Sequence, residues 1–330
     1  WNGWMYTVGP AGTAFWEQCA NWQAYKIIPQ DEFTNDYVGQ YFNQTQQHIL
    51  HEEGRYSNFF FLDHWAMLHG MDIVARLWNG CRNPEDAVQA YQRITGTSNT
   101  LFNDQMWDCA ARFATWDIPH LEGHHKDTWK NRPQPKFTKD EDNYWVINAA
   151  NAPENTGHNI IQLNAPKTAT TVSAVFEGLA GDSRFRQNYT RQAGWRYGFV
   201  ALLKDGTRVY GPMGSKASYT DPQDVVTFNC PANCERLWFV VSGAGQTYVA
   251  HGWDNNNDND EQWGYRVQFD STNLLGQANN TITAIDDVLA HNVHPAGVYT
   301  LSGTRLRDDN DIHGLPAGIY VVGGRKVVVR

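Results

Sequence analysis

Trp195-Arg196-Tyr197-Gly198-Phe199-Val200-Ala201-Leu202-Leu203-Lys204-Asp205-Gly206-Thr207-Arg208-Val209-Tyr210 decides how the second half of this chain folds. An apolar run meets Asp-Gly, the dipeptide whose backbone suits a tight hairpin, and the chain returns as residues 207–210. Further short runs flank it. Residues 159–163 and 170–176 come before, the latter ending at a Glu177-Gly178 turn. Residues 224–228 and 236–241 follow, and then 251–269. Short strands at this spacing predict an antiparallel β-sandwich over 155–273.

Upstream, residues 1–150 read as helical. Residues 16–25 carry large apolar groups at helical spacing and stop before Pro29. Residues 57–78 repeat the pattern with Gly70 inside it, so they predict one kinked helix or two. Asn83-Pro84-Glu85-Asp86 reads as a helix start, and that helix ends near Gly96. Another begins at Ser98 or Thr100 and places Phe102, Met106, Cys109, Ala110 and Phe113 on one stripe. Residues 126–143, charged and holding Pro133 and Pro135, read as a loop or linker. The last segment, 281–330, ends in a hairpin on Gly323-Gly324 and is too small to bury a core alone.

The chain's 330 residues leave room for two domains and an appendage, at roughly 100–200 residues per domain. Aromatic residues make up 13%, which excludes a disordered chain. A net charge of −9 argues against a nucleic-acid binder, which needs basic surface. No apolar run reaches the roughly 18 residues of a spanning helix, so no membrane span is expected. Charged residues, at 18%, fall below the usual quarter, and Asn, Gln and Thr take their place, which suggests an extracytoplasmic protein. Cys230 and Cys234 could close a small loop or stay thiols, Cys81 and Cys109 could pair, and Cys19 is left single. Unpaired buried thiols are the other reading. The chain opens at Trp1 without an initiator Met or signal-like segment, so a removed leader or a longer parent is expected.

Two resemblances follow from particular residues. Val298-Tyr299, Leu301-Ser302-Gly303, Leu315-Pro316-Ala317-Gly318-Ile319-Tyr320-Val321-Val322 and Lys326-Val327-Val328-Val329 resemble the C-terminal sorting domain of Bacteroidetes proteins read by the type IX secretion system. That resemblance implies a secreted or cell-surface location and a partner in the secretion machinery. The rest resembles a bacterial secreted family of unknown function (DUF6055-like), itself similar to glutamate-ligand zinc metallopeptidases. The residues that carry it are Phe15-Trp16-Glu17-Gln18-Cys19-Ala20-Asn21-Trp22, the stretch 60–78, Arg112 through Ile118, Trp195 through Phe199, and Trp253-Asp254 with Asp260-Glu261-Gln262-Trp263.

Such a peptidase holds zinc with two His of a His-Glu-x-x-His helix and a Glu from a later helix. Glu17 matches that third ligand; a partly buried acid satisfied by an Arg or an indole N–H is the alternative. No His-Glu-x-x-His occurs here. His51-Glu52-Glu53-Gly54-Arg55 begins like one but has Arg where the second His belongs, so the pair is expected upstream of Trp1. His120 and His124 stand at ligand spacing, yet Pro119 and Gly123 favour a His-rich loop; His64 and His69 point to different helix faces. Asp254, Asp258 and Asp260 lie in the chain's densest run of oxygen ligands, a calcium candidate or a solvated Asx-rich turn.

The fold expected is α+β and multidomain: a helical, metallopeptidase-like part (1–150), an antiparallel β-sandwich (155–273) and a small β tail (281–330). The function expected is that of a secreted, zinc-dependent peptidase acting on a peptide or glycoprotein, complete only with upstream His ligands. The alternative is a non-catalytic surface protein whose sandwich binds glycan or protein through exposed Trp195, Trp238, Trp253 or Trp263.

Overall fold

The structure is a computed structural model that describes residues 12–125, 127–279, 297–300, 305–307, 309, 311–316, 318–322 and 325–329. The fold is α+β. Contacts divide the chain into two compact units, Trp1–Asn280 and Thr281–Arg330.

Among the described residues, six α-helices lie in the first part of this unit: α1 (Gly12–Ile27), α2 (Tyr37–Gln44), α3 (Phe61–His69), α4 (Ile73–Gly80), α5 (Ala87–Thr95) and α6 (Asn99–Phe113). Local chemistry sets their ends. Gly70, at φ +91°, separates α3 from α4, so residues 57–78 form two helices. Helix α5 begins at Ala87 because Asp86, not Asn83, is the cap: its carboxylate accepts the Gln89 amide at 2.8 Å and the Gln89 side chain returns the bond. Ser98 caps α6 through its hydroxyl alone, which accepts the Leu101 amide at 3.2 Å. Helix α2 escapes the sequence reading, since it is two turns long and carries Gly39.

Ten strands follow in the first unit: β1 (Phe137–Lys139), β2 (Trp145–Ile147), β3 (His158–Leu163), β4 (Thr170–Gly178), β5 (Trp195–Leu203), β6 (Arg208–Tyr210), β7 (Gly214–Lys216), β8 (Asp224–Cys230), β9 (Cys234–Gly243) and β10 (Tyr265–Asp270). One antiparallel sheet runs β1-β2-β10-β4-β8; the other runs β3-β9-β5-β6, with β7 beside β5. Of the run 251–269, residues 251–264 are a long loop and only the end forms β10.

Strand β5 is buried along its whole length, and its two faces serve different cores. Trp195, Tyr197, Phe199, Ala201 and Leu203 point into the sandwich, with Leu237, Phe239 and Val241 from β9. Val200 and Leu202 point the other way and join Ile160, Trp238 and Val240 beneath the helices. The layers are therefore helix, sheet, sheet. Helix α6 lies on the middle sheet through Trp107, whose indole N–H donates to the Val240 carbonyl at 3.1 Å, and through an Asp104–Arg196 ion pair at 2.6 Å. Gly198 is required there, because a Cβ would come within 2.7 Å of the Trp107 ring.

Cys19, Cys109, Cys230 and Cys234 are buried free thiols, and Cys81 is buried as well. In the second unit β11 (Val298–Thr300), β12 (Arg305–Arg307), β13 (Gly318–Val322) and β14 (Arg325–Val329) form one antiparallel sheet ordered β12-β11-β13-β14; the Gly323-Gly324 turn lies outside the described residues. No helix among the described residues is long and apolar enough to cross a membrane.

Candidate functional site

Residues 45–56, between α2 and α3, are laced to the start of β3. The Glu154 amide donates to the Gln46 carbonyl at 2.9 Å, and the His158 amide to the Thr45 carbonyl at 2.6 Å. The Glu154 carboxylate accepts the His48 amide at 2.7 Å, and the Thr156 hydroxyl accepts the Ile49 amide. Gly157 permits this approach, since a Cβ there would meet the Gln46 carbonyl at 2.0 Å.

The lacing brings His48, His51 and Glu52 against His251 and Asp260 of the long loop. All five side chains are buried. The imidazoles stack, His48 on His251 with centroids 5.6 Å apart and His251 on His51 at 4.4 Å. His251 stands between two acids: its Nε2 is 2.5 Å from Glu52 and its Nδ1 is 3.3 Å from Asp260. The other Glu52 oxygen accepts the Asn255 amide at 2.8 Å. The cluster is thus a clamp joining two loops about 200 residues apart in sequence.

Glu154 and Glu261 lie beside the clamp. Burial, reinforced by the charge of Glu261, holds the Glu154 carboxyl well above the usual carboxylate range. Burial pushes Glu261 up to about 7, against the bond it accepts from the Asn155 amide. His48 is held well below the ordinary imidazole value, first by burial and then by the charges of His251 and His51.

His51, His251 and Asp260 each offer a donor atom within 4.8 Å of the others. His51 Nε2 faces Asp260 at 3.4 Å, and neither that nitrogen nor Asp260 Oδ2 has a hydrogen-bond partner among the described residues. Spacings of 3.3–3.4 Å match the edge of a zinc tetrahedron. The proton position of His51 does not match it. His51 Nδ1 accepts the Glu53 amide at 3.0 Å, which leaves the ring's proton on Nε2, the nitrogen a metal would need. As arranged, the group is an ionic and hydrogen-bonded clamp.

Above the clamp lies a strip of partly exposed rings. Tyr56 is 38% exposed and stacks on half-buried Tyr37, with centroids 6.4 Å apart. The Arg55 guanidinium sits 4.9 Å from the Tyr56 ring and 5.5 Å from that of half-buried Trp253. Exposed Asn255, Asn256, Asn257 and Asn259 follow Trp253 directly.

Glu17 is half-buried on α1 and belongs to no group of three or more metal-ligating side chains among the described residues. Asp254 and Asp258 are exposed while Asp260 turns inward, and Asp254 spends its oxygens on the Asn256 amide and the Asn259 side chain. His120 and His124 lie in turns, His64 is buried against Asp108 at 2.8 Å, and His69 meets the Tyr91 hydroxyl at 2.7 Å. Trp195, Trp238 and Trp263 are core residues; of the four tryptophans singled out for glycan stacking, Trp253 alone reaches the surface. Sequence reasoning passed over the clamp, although its signals were present in His48-x-x-His51-Glu52 and Asp260-Glu261.

Residues 2–276 match the family of unknown function DUF6055, and the chain belongs to that family. No curated protein matches it. Among solved structures, a family 22 carbohydrate-binding module of Clostridium thermocellum Xyn10B aligns at 11% identity over 44% of this chain and 83% of that one, with a TM-score of 0.25. A xylan-binding domain from Paenibacillus barcinonensis aligns at 9% over 44% and 83%, with a TM-score of 0.24. Similarity at this level says nothing about what this chain binds.

Proposed function

We propose that this chain is a non-catalytic glycan-binding protein whose binding face is the Tyr37–Tyr56–Arg55–Trp253 strip with the neighbouring asparagines. The observation that carries it is the meeting of Tyr37 at the start of α2, Tyr56 in the loop after it and Trp253 in the distant loop before β10, at one surface around Arg55. A pyranose ring presents C–H groups to aromatic faces and hydroxyls to carboxamides, and the strip offers both. The clamp beneath fixes the two loops before any ligand arrives, which lowers the ordering cost of binding. Burial of the clamp keeps its acids and imidazoles from a substrate, which weighs against catalysis. An extracytoplasmic location is part of the proposal, supported by the low charged fraction and the resemblance of the tail to a sorting domain.

Affinity electrophoresis of the full chain against a panel of neutral and acidic polysaccharides tests the reading. Retardation by at least one polymer is expected, weakened about tenfold or more by Tyr56→Ala and by Trp253→Ala and unchanged by Thr227→Ala on the exposed face of the outer sheet. Retardation by none, or equal retardation of all the variants, refutes it.

A further inference from the structure

Arg55 is held between two aromatic faces, yet among the described residues it has no carboxylate partner. Its Nη1 donates to the Glu52 carbonyl oxygen at 2.8 Å, which leaves its other nitrogens free for a ligand. The acids around it are already engaged. Glu52 is tied to His251 and the Asn255 amide, and Glu53 accepts from Gln47 at 2.6 Å and from Asn257 at 2.9 Å. Asp254 accepts from Asn256 and Asn259. These bonds hold the Glu53 and Asp254 carboxyls below the usual carboxylate range, and among the described residues neither forms an ion pair with Arg55. A half-buried guanidinium stacked on Tyr56 and Trp253 is pre-arranged for a planar anion, which it can grip through two parallel N–H bonds.

Resting on the glycan-binding reading above, we infer that the ligand is an acidic sugar, a uronic acid within a polysaccharide. Its ring lies against Trp253 and Tyr56, and its carboxylate pairs with Arg55. A carboxylate fits the flat fork of the guanidinium edge to edge. A sulfate ester would supply charge without that planarity, and a neutral sugar would leave the cation unpaired.

The probes are polygalacturonate, alginate, fully methyl-esterified polygalacturonate and a sulfated galactan, titrated into the full chain by calorimetry. Binding to at least one of the two polyuronates is expected, falling with added salt. The methyl ester, which keeps the backbone and loses the charge, should bind at least tenfold more weakly than its parent where the parent binds. Arg55→Met should abolish the preference for the charged polymer, and Arg55→Lys, which keeps the charge without the fork, should restore only part of it. Equal affinity for the acid and its ester, an Arg55→Met variant that keeps the preference, or a sulfated galactan that outcompetes both polyuronates overturns the inference. If a neutral polymer binds and Tyr56→Ala abolishes that binding while Arg55→Met does not, the glycan reading survives and the acidic class falls. If no polysaccharide binds, both fall.

Discussion

Glu261 holds its proton in the folded chain to about pH 7, because burial penalises the carboxylate. A group whose folded pKa is raised stabilises fully below its unfolded value of 4.5, and that stabilisation is lost as pH rises through about 7. Glu154 acts in the same direction. His48 acts in the opposite one: its folded pKa is lowered, so the unfolded chain takes up the proton first and stability is lost as pH falls below 6.5. The two slopes oppose each other across the weakly acidic range. Glu261→Gln keeps an acceptor for the Asn155 amide and cannot ionise. The variant should lose less stability than the wild type between pH 5 and pH 8, by on the order of 2 kcal/mol at 1.36 kcal/mol per pKa unit. Urea midpoints at the two pH values check this, and identical pH profiles would remove Glu261 from the account. None of this was legible in the sequence. Glu261 stands beside Asp260 after a run of Asx residues, which reads as solvated surface. It is buried, and the amide its carboxylate accepts comes from Asn155, about a hundred positions earlier.

At the scale of elements, Asp86 does two jobs. It caps α5, and it accepts the Tyr248 hydroxyl at 2.6 Å, tying the helix to the chain that leaves β9. Removing a cap costs about 1 kcal/mol, and leaving the half-buried Tyr248 hydroxyl without its partner costs about 1–3 kcal/mol more. Asp86→Ala should therefore destabilise by about 2–4 kcal/mol, whereas Asp86→Asn, which keeps a cap oxygen, should cost less than half of that. Equal losses in chemical denaturation would show that the carboxylate's charge, not its bonds, is what matters. The Asn83-Pro84 signal placed this start three residues early, because acids near a Pro resemble a first turn while only the reciprocal Asp86–Gln89 bonds make one. Strands fared better. The Asp205-Gly206 turn between β5 and β6 was legible because its signal is local: Gly206 sits at φ +87° and the Asp205 carboxylate accepts the Thr207 amide at 2.9 Å. The strip was half-legible. Trp253 stood out as an aromatic residue in a polar run, but nothing near it in sequence announces Tyr56 or Tyr37.

For the whole molecule, the question is where independent folding begins. The apolar runs of β5, β9 and β3 were readable as strands, but a run does not say which elements cover its two faces. Both are covered here. Ile160, Val200, Leu202, Trp238 and Val240 belong to the same core as Phe15, Trp65, Tyr91 and Trp116 of the helical part. The helices therefore close their apolar side with residues that lie beyond position 150. A chain ending at residue 150 should expose that side, bind a hydrophobic dye and lack a cooperative melt. A chain of residues 12–279 contains both cores entire and should melt in one transition, since the two cores share the middle sheet. Trp238→Ala removes a side chain packed between that sheet and Trp129, and should cost about 3–5 kcal/mol while shifting the helical and sandwich signals together. Far-UV and near-UV circular dichroism during one thermal ramp decide the matter. Two separated transitions, or a folded 1–150 fragment, would mean that the helices form a domain of their own. Coincident loss would mean that the sandwich is the floor on which the helical layer, and with it the Tyr37 and Tyr56 side of the strip, is built.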